Sequence, residues 1–243
     1  MASRLLLAGL ISGSLSGVVA HVAQSWWLAG YLTLAEQLTG LDTVLRPEGE
    51  RYTLMMNLLT QTGFALVLVA LAMLFSVMAA PTNSPKKAAY GVKWGITWGL
   101  AGFVAVWLSP SLGLPPKLPG TPAAPLDLRQ WWWGATVVAS MVGLWLVGMG
   151  WHLRRVASAT ATASKAWRWW ILTGVGIWLL PHLWGAPQMA WTQPQSATQQ
   201  TLLALEAAYY PPVFGVNLMT WLFLGGILGF VAQRLNPPPT ALD

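Results

Sequence analysis

The chain has 243 residues, and only 8% of them are Asp, Glu, Lys or Arg, against about a quarter in an average soluble domain. So few charges exclude a fully water-exposed surface, and most of this one must face lipid. With no cysteine, disulfides, thiolate metal ligands, iron–sulfur clusters and redox dithiols are excluded too.

A bilayer-crossing helix needs about 20 mostly apolar residues, and six segments qualify: 5–30, 54–79, 91–109, 131–151, 167–184 and 213–234. The remainder is connectors, so the expectation is an all-α integral membrane protein forming a single polytopic domain over 1–243. The first segment opens with Arg4 and Leu5-Leu6-Leu7, like a signal peptide, but its apolar run outlasts the 7–15 residues of such a region and reads as an uncleaved helix. It carries Gly9, Gly13 and Gly17, and the third segment carries Gly91, Gly95 and Gly99. Small residues at this spacing form a groove in which helix backbones approach closely, so these two helices are expected to pack tightly with each other or with a partner chain.

Prolines punctuate the rest. Pro81 and Pro85 follow the second segment, and Pro110 is expected to stop the third. The third connector, 110–125, has six prolines in sixteen residues, Pro115 and Pro116 among them, and predicts a stiff outer cap. The fifth, 185–212, is rich in Gln and predicts a short interfacial helix over 197–208, with Pro211-Pro212 opening the sixth span and Pro237 to Pro239 ending it. Most of the seventeen tryptophans fall at segment ends, where indole prefers the headgroup level.

The charge of +6 suggests nucleic acid until its distribution is read. Alternate sides of a six-span topology hold nine and four Lys or Arg, and the poorer side holds six of the seven carboxylates. Cytoplasmic connectors carry the Lys/Arg excess, so both termini are placed in the cytoplasm and no nucleic-acid partner is implied.

Ionisable groups within membranes are costly and default to functional candidates. His21, His182, Glu36 and Glu206 all fall on the outer side, with Met55, Met56 and Met189 near them. Imidazole and carboxylate suit cobalt, nickel or zinc, and thioethers suit Cu(I). Equally, a neutral histidine can hold helices together and the carboxylates can be solvated. No phosphate loop, His-x-x-x-His pair or Ser-His-Asp set is present, so no enzyme is expected. No carboxylate lies deep in any segment, which argues against an independent ion-coupled pump.

The stretch from Leu100 to Trp133, LAGFVAVWLSPSLGLPPKLPGTPAAPLDLRQWWW, resembles the CbtA family of predicted cobalt transporter subunits. RLLLAGLISGSLSG from Arg4 to Gly17, LLPHLWGAPQ from Leu179 to Gln188 with its Pro-His-x-x-Gly-Ala-Pro pattern, and Gly225, Gly226 and Gly229 in the last segment agree with it. The resemblance implies a multi-helix cobalt uptake component of a bacterial cytoplasmic membrane. It also implies a small single-helix partner, CbtB, with a His-rich tail, and points to His182, following Pro181, as the foremost metal-handling residue. Many members carry a histidine-rich first outer connector; here 35–53 has none and offers Glu36, Asp42, Glu48 and Glu50. The second reading is a non-catalytic accessory subunit of a respiratory or photosynthetic complex, in which His182 or His21 holds the fold or ligates a pigment.

Overall fold

The structure, a computed structural model, describes residues 2–40, 47–79, 90–160, 165–190 and 196–236. Asp42, the Glu48 side chain, Pro81, Pro85 and Pro237 to Pro239 lie outside the described part. All regular structure within it is helical: α1 Ala2–Trp27, α2 Ala29–Thr39, α3 Pro47–Ala79, α4 Val92–Gly113, α5 Leu126–Thr160, α6 Ala166–Trp184 and α7 Ala197–Leu235. Five of these, α1, α3, α4, α5 and α7, are long and apolar enough to cross a membrane. Helix α6 has 19 residues, about 28 Å of length. Its indoles and Arg168 lower its hydropathy, yet it runs antiparallel along α5, with Gly143 against Gly174 and Gly150 against Ile171.

The order of packing is α3, α1, α7, α4, with the α5–α6 hairpin set against the second half of α4. Two backbone-to-backbone seams hold the first four helices in pairs. Along α1 and α3, a methyl group on Gly13 would collide with the Thr62 backbone, and one on Gly17 would lie 2.7 Å from the Leu58 Cα. Along α4 and α7, a methyl on Gly95 would lie 2.6 Å from the Gly229 nitrogen, and one on Gly99 would lie 2.5 Å from the Trp221 oxygen. The outermost ladder members are looser: Gly9 faces the side chains of Leu66 and Val69, and Gly91 only Gln233. The two ladders therefore do not meet each other. Each has its own partner within the chain, α3 for the first and Gly225 and Gly229 of α7 for the second.

Both helix ends meet where α1 starts and α7 finishes, because Arg4 Nη1 donates to the Leu235 carbonyl at 2.9 Å. A guanidinium there satisfies one of the last carbonyls of α7 and complements the negative end of its dipole. At the opposite end α2, the segment 114–125 and the first turns of α7 form a cap. Leu28, Ala35, Leu118 and Leu202 are buried in it, and Tyr31 meets Tyr209 with ring centroids 5.7 Å apart. Gly120, at φ +79°, turns the Pro-rich segment back onto Thr39 of α2.

Both proline-based helix boundaries differ from expectation. Pro110 does not stop the third span; α4 continues to Gly113 through a π-helical stretch, Phe103–Leu108. Proline has no N–H and its ring crowds the carbonyl four residues back. The wider turn accommodates this, with the Ser109 N–H reaching five residues back to the Val104 oxygen. Likewise Pro211-Pro212 do not open a helix. They sit inside α7, which is continuous for 39 residues from a capping box at Ser196 and Gln199. The expected separate helix over 197–208 is its first third.

Replacing Gly95 by Ala forces backbone apart and is expected to destabilise the protein by about 1–3 kcal/mol. Gly176→Ala, with nothing within 4 Å of the added methyl, should shift it by less than about 1 kcal/mol; thermal unfolding in detergent separates the two. Because the chain lacks cysteine, single cysteines report sidedness directly. Asp127→Cys should react with a membrane-impermeant thiol reagent in intact cells, and Lys165→Cys only after the membrane is opened.

Candidate functional site

The end of the π stretch places Ser109 at the junction of three helices. It is fully buried, and three side chains converge on its hydroxyl. Trp178 Nε1 of α6 donates to Ser109 Oγ at 2.9 Å. Ser140 Oγ of α5 donates to it at 2.8 Å. His182 Nε2 of α6 lies 3.0 Å away. An indole N–H can only donate, and a hydroxyl has two lone pairs and one proton. With both lone pairs taken, Ser109 gives its proton to His182 Nε2, which fixes the neutral imidazole with its hydrogen on Nδ1. If the Ser109–Ser140 bond reverses, Ser109 can accept from Nε2–H instead, and Nδ1 then carries the free lone pair. The serine pair thus holds Nε2 in either arrangement and lets Nδ1 face outward as an N–H or as a free lone pair.

The residues around His182 act as a clamp. Pro181 within α6 cannot donate, but its carbonyl accepts from Trp132 Nε1 at 3.2 Å and from the Gly185 N–H at 3.2 Å. The Trp132 ring stands edge-on to the imidazole, with centroids 5.8 Å apart. Gly185, at φ +89°, ends the helix in a conformation that side-chain-bearing residues rarely adopt. The chain then turns so that Gln188 Nε2 donates to the Gly113 carbonyl at 2.8 Å. Gly113 has room for nothing larger: a methyl there would collide with the Trp132 ring and lie 2.9 Å from the Ala186 Cβ. The Pro-His-x-x-Gly-Ala-Pro pattern therefore pins the end of α6 onto the end of α4.

The other candidates lie elsewhere. His21 belongs to α1, which packs on α3 and α7, whereas His182 belongs to the α5–α6 pair. His21 Nδ1 is buried without a hydrogen-bond partner. Glu36 is 4% exposed on α2. Glu206 of α7 binds Lys117 of the Pro-rich segment at 2.7 Å, while its Oε2 is buried without a partner. Pro115 and Pro116 precede that lysine and limit where its backbone can go. Met55, Met56 and Met189 are each about half exposed. Among the described residues no three His, Asp or Glu side chains come together as a group able to hold a metal ion.

Several polar members went unread in the sequence. Ser109, Ser140 and Trp178 look like ordinary residues of apolar helices; only the adjacency of Ser109 to Pro110 hints at irregular backbone. Gln24 and Asn57 exchange amide hydrogen bonds between α1 and α3 at 2.8 and 3.3 Å. Ser111 Oγ lies 3.4 Å from the Tyr210 hydroxyl, joining α4 to α7 on the side away from His182.

Removing the hub should be costly, because Ser109→Ala leaves the Trp178 N–H and the imidazole without a shared partner in a buried setting. A loss of about 1–3 kcal/mol is expected, read as a lower unfolding temperature, while Ser111→Ala should change it little.

Residues 2–233 match the sequence profile of the family described as "Probable cobalt transporter subunit (CbtA)". No curated protein and no solved structure matches the chain. The family match runs through both glycine seams, the π stretch and the His182 clamp, and with the apolar helices it identifies the chain as a multi-pass membrane protein of the CbtA family.

Proposed function

We propose that this chain is the membrane subunit through which a divalent transition metal, cobalt foremost, is taken up, with His182 as the metal-handling side chain at the outer end of α6. The observation that carries the reading is the family match over 2–233, within which His182 is held at Nε2 by a buried network that can leave the Nδ1 lone pair free. A neutral imidazole suits a first-row divalent ion, and a second shell of Ser109, Ser140 and Trp178 would orient it as outer-shell partners do at metal sites. The ion passes as cargo, keeping waters on its remaining positions. His21, Glu36 and Glu206 are assigned as further groups along the outer route, each contributing singly. The chain has no nucleotide-binding motif, so the driving energy is assigned to the gradient or to a partner, and a single-helix subunit of the CbtB kind with a His-bearing tail is the partner that the reading favours. In this role the chain is a non-catalytic subunit.

Cobalt accumulation by cells producing the chain with such a partner tests it. Accumulation above the empty-vector level is expected, and His182→Gln should lower it by about tenfold or more. Glutamine can still accept from Ser109, so the fold should survive and the loss be specific to the metal. Normal uptake by His182→Gln, or none by the wild type, would sink the reading.

A further inference from the structure

On the outer face the Pro-rich segment, the first turns of α5 and the chain after α6 enclose a cavity of about 360 Å³ that the His182 network does not use. Leu114, Pro115, Leu126, Trp133, Pro187 and Met189 give it apolar walls. Two cations, Lys117 and Arg129, also line it, and no carboxylate does. Lys117 is already neutralised by Glu206. Arg129 is not: its Nε donates to the Ala124 carbonyl at 2.9 Å, and no carboxylate pairs with the guanidinium among the described residues. Asp127, two positions earlier on α5, is at a spacing that does not place the two side chains face to face. The cavity therefore combines one uncompensated guanidinium with an apolar body.

Its level in the membrane is informative. Trp131 and Trp133, 80% and 41% exposed, stand beside it at the start of α5, and indoles so placed mark the headgroup layer. A small inorganic anion would meet the guanidinium but leave the apolar walls in water. An anionic amphiphile satisfies both, with paired N–H···O bonds from Arg129 to phosphate oxygens. We propose that this cavity is a binding site for an anionic phospholipid of the outer leaflet, its phosphate on Arg129 and its glycerol and upper acyl carbons against Trp133 and Leu126. Lipid there braces three segments that carry the outer cap: the loop holding Lys117, the start of α5 and the strand of chain after the His182 clamp. This role is independent of whether the cargo is cobalt.

The test is native mass spectrometry of the detergent-purified protein, with dioleoyl phosphatidylglycerol or dioleoyl phosphatidylcholine added. The wild type should retain phosphatidylglycerol in preference to phosphatidylcholine, and Arg129→Gln should weaken that retention by about tenfold. Ala190→Trp, which fills the cavity and leaves the arginine in place, should weaken it as well, with both variants showing wild-type unfolding temperatures before lipid is added. Equal retention of the two lipids, or unchanged retention in both variants, would overturn the proposal. Displacement of the bound lipid by inorganic phosphate alone would overturn the lipid as occupant and leave a plain phosphate site.

Discussion

Hydrocarbon tails are as apolar as leucine, so a helix in a bilayer gains nothing by hiding its side chains from them. What remains is contact at close range, and in this protein it is contact between backbones. Where Gly95 and Gly99 face Gly225 and Gly229, and where Gly13 and Gly17 face Thr62 and Leu58, no side chain intervenes. These two seams set the distance and antiparallel register within the α1–α3 and α4–α7 pairs, and α1 joins α7 through Ser16, whose hydroxyl donates to the Thr220 carbonyl at 3.2 Å. The cap and the π stretch are built on these four helices.

The second principle of construction is polar and local. The α5–α6 hairpin has its own small-residue contact at Gly143 and Gly174, but its attachment to the other helices runs through the irregular part of α4. There Ser109 collects bonds from two helices, and Trp132 and Gln188 bind the backbone oxygens of Pro181 and Gly113 near the ends of α6 and α4. A buried hydroxyl with three partners specifies one arrangement of three helices, since any slip leaves a polar group unpaired in a dry interior. The same specificity gives His182 a defined ring orientation.

The helices were legible because length and hydropathy are properties of single segments, and the glycine ladders because their period of four is a property of one helix face. The helix each ladder would meet was not legible: Gly229 lies 134 positions from Gly95, and nothing local encodes that pairing. Proline misled for a related reason. Read singly, Pro110 and Pro211-Pro212 are breakers, but their cost depends on whether a wider turn or surrounding polar groups can absorb the lost bonds, and that is settled by tertiary position. His182 could be picked out by its rarity and its resemblance to a family pattern. Ser109, on which it depends, could not, because a serine in an apolar helix carries no mark of being a hub.

The proline pair within α7 also acts as a depth gauge. Without their N–H groups, Pro211 and Pro212 strand the carbonyls of Ala207 and Ala208, both on exposed residues. Oxygens stranded in hydrocarbon are costly, whereas at the water line solvent satisfies them, which favours that depth for the turn. Measured inward from it, Val213 to Leu235 spans about 34 Å at the rise of an α-helix, close to the thickness of a bilayer's apolar core. The first third of the same rod then lies at and beyond the headgroup layer, level with the Lys117–Glu206 pair of the cap.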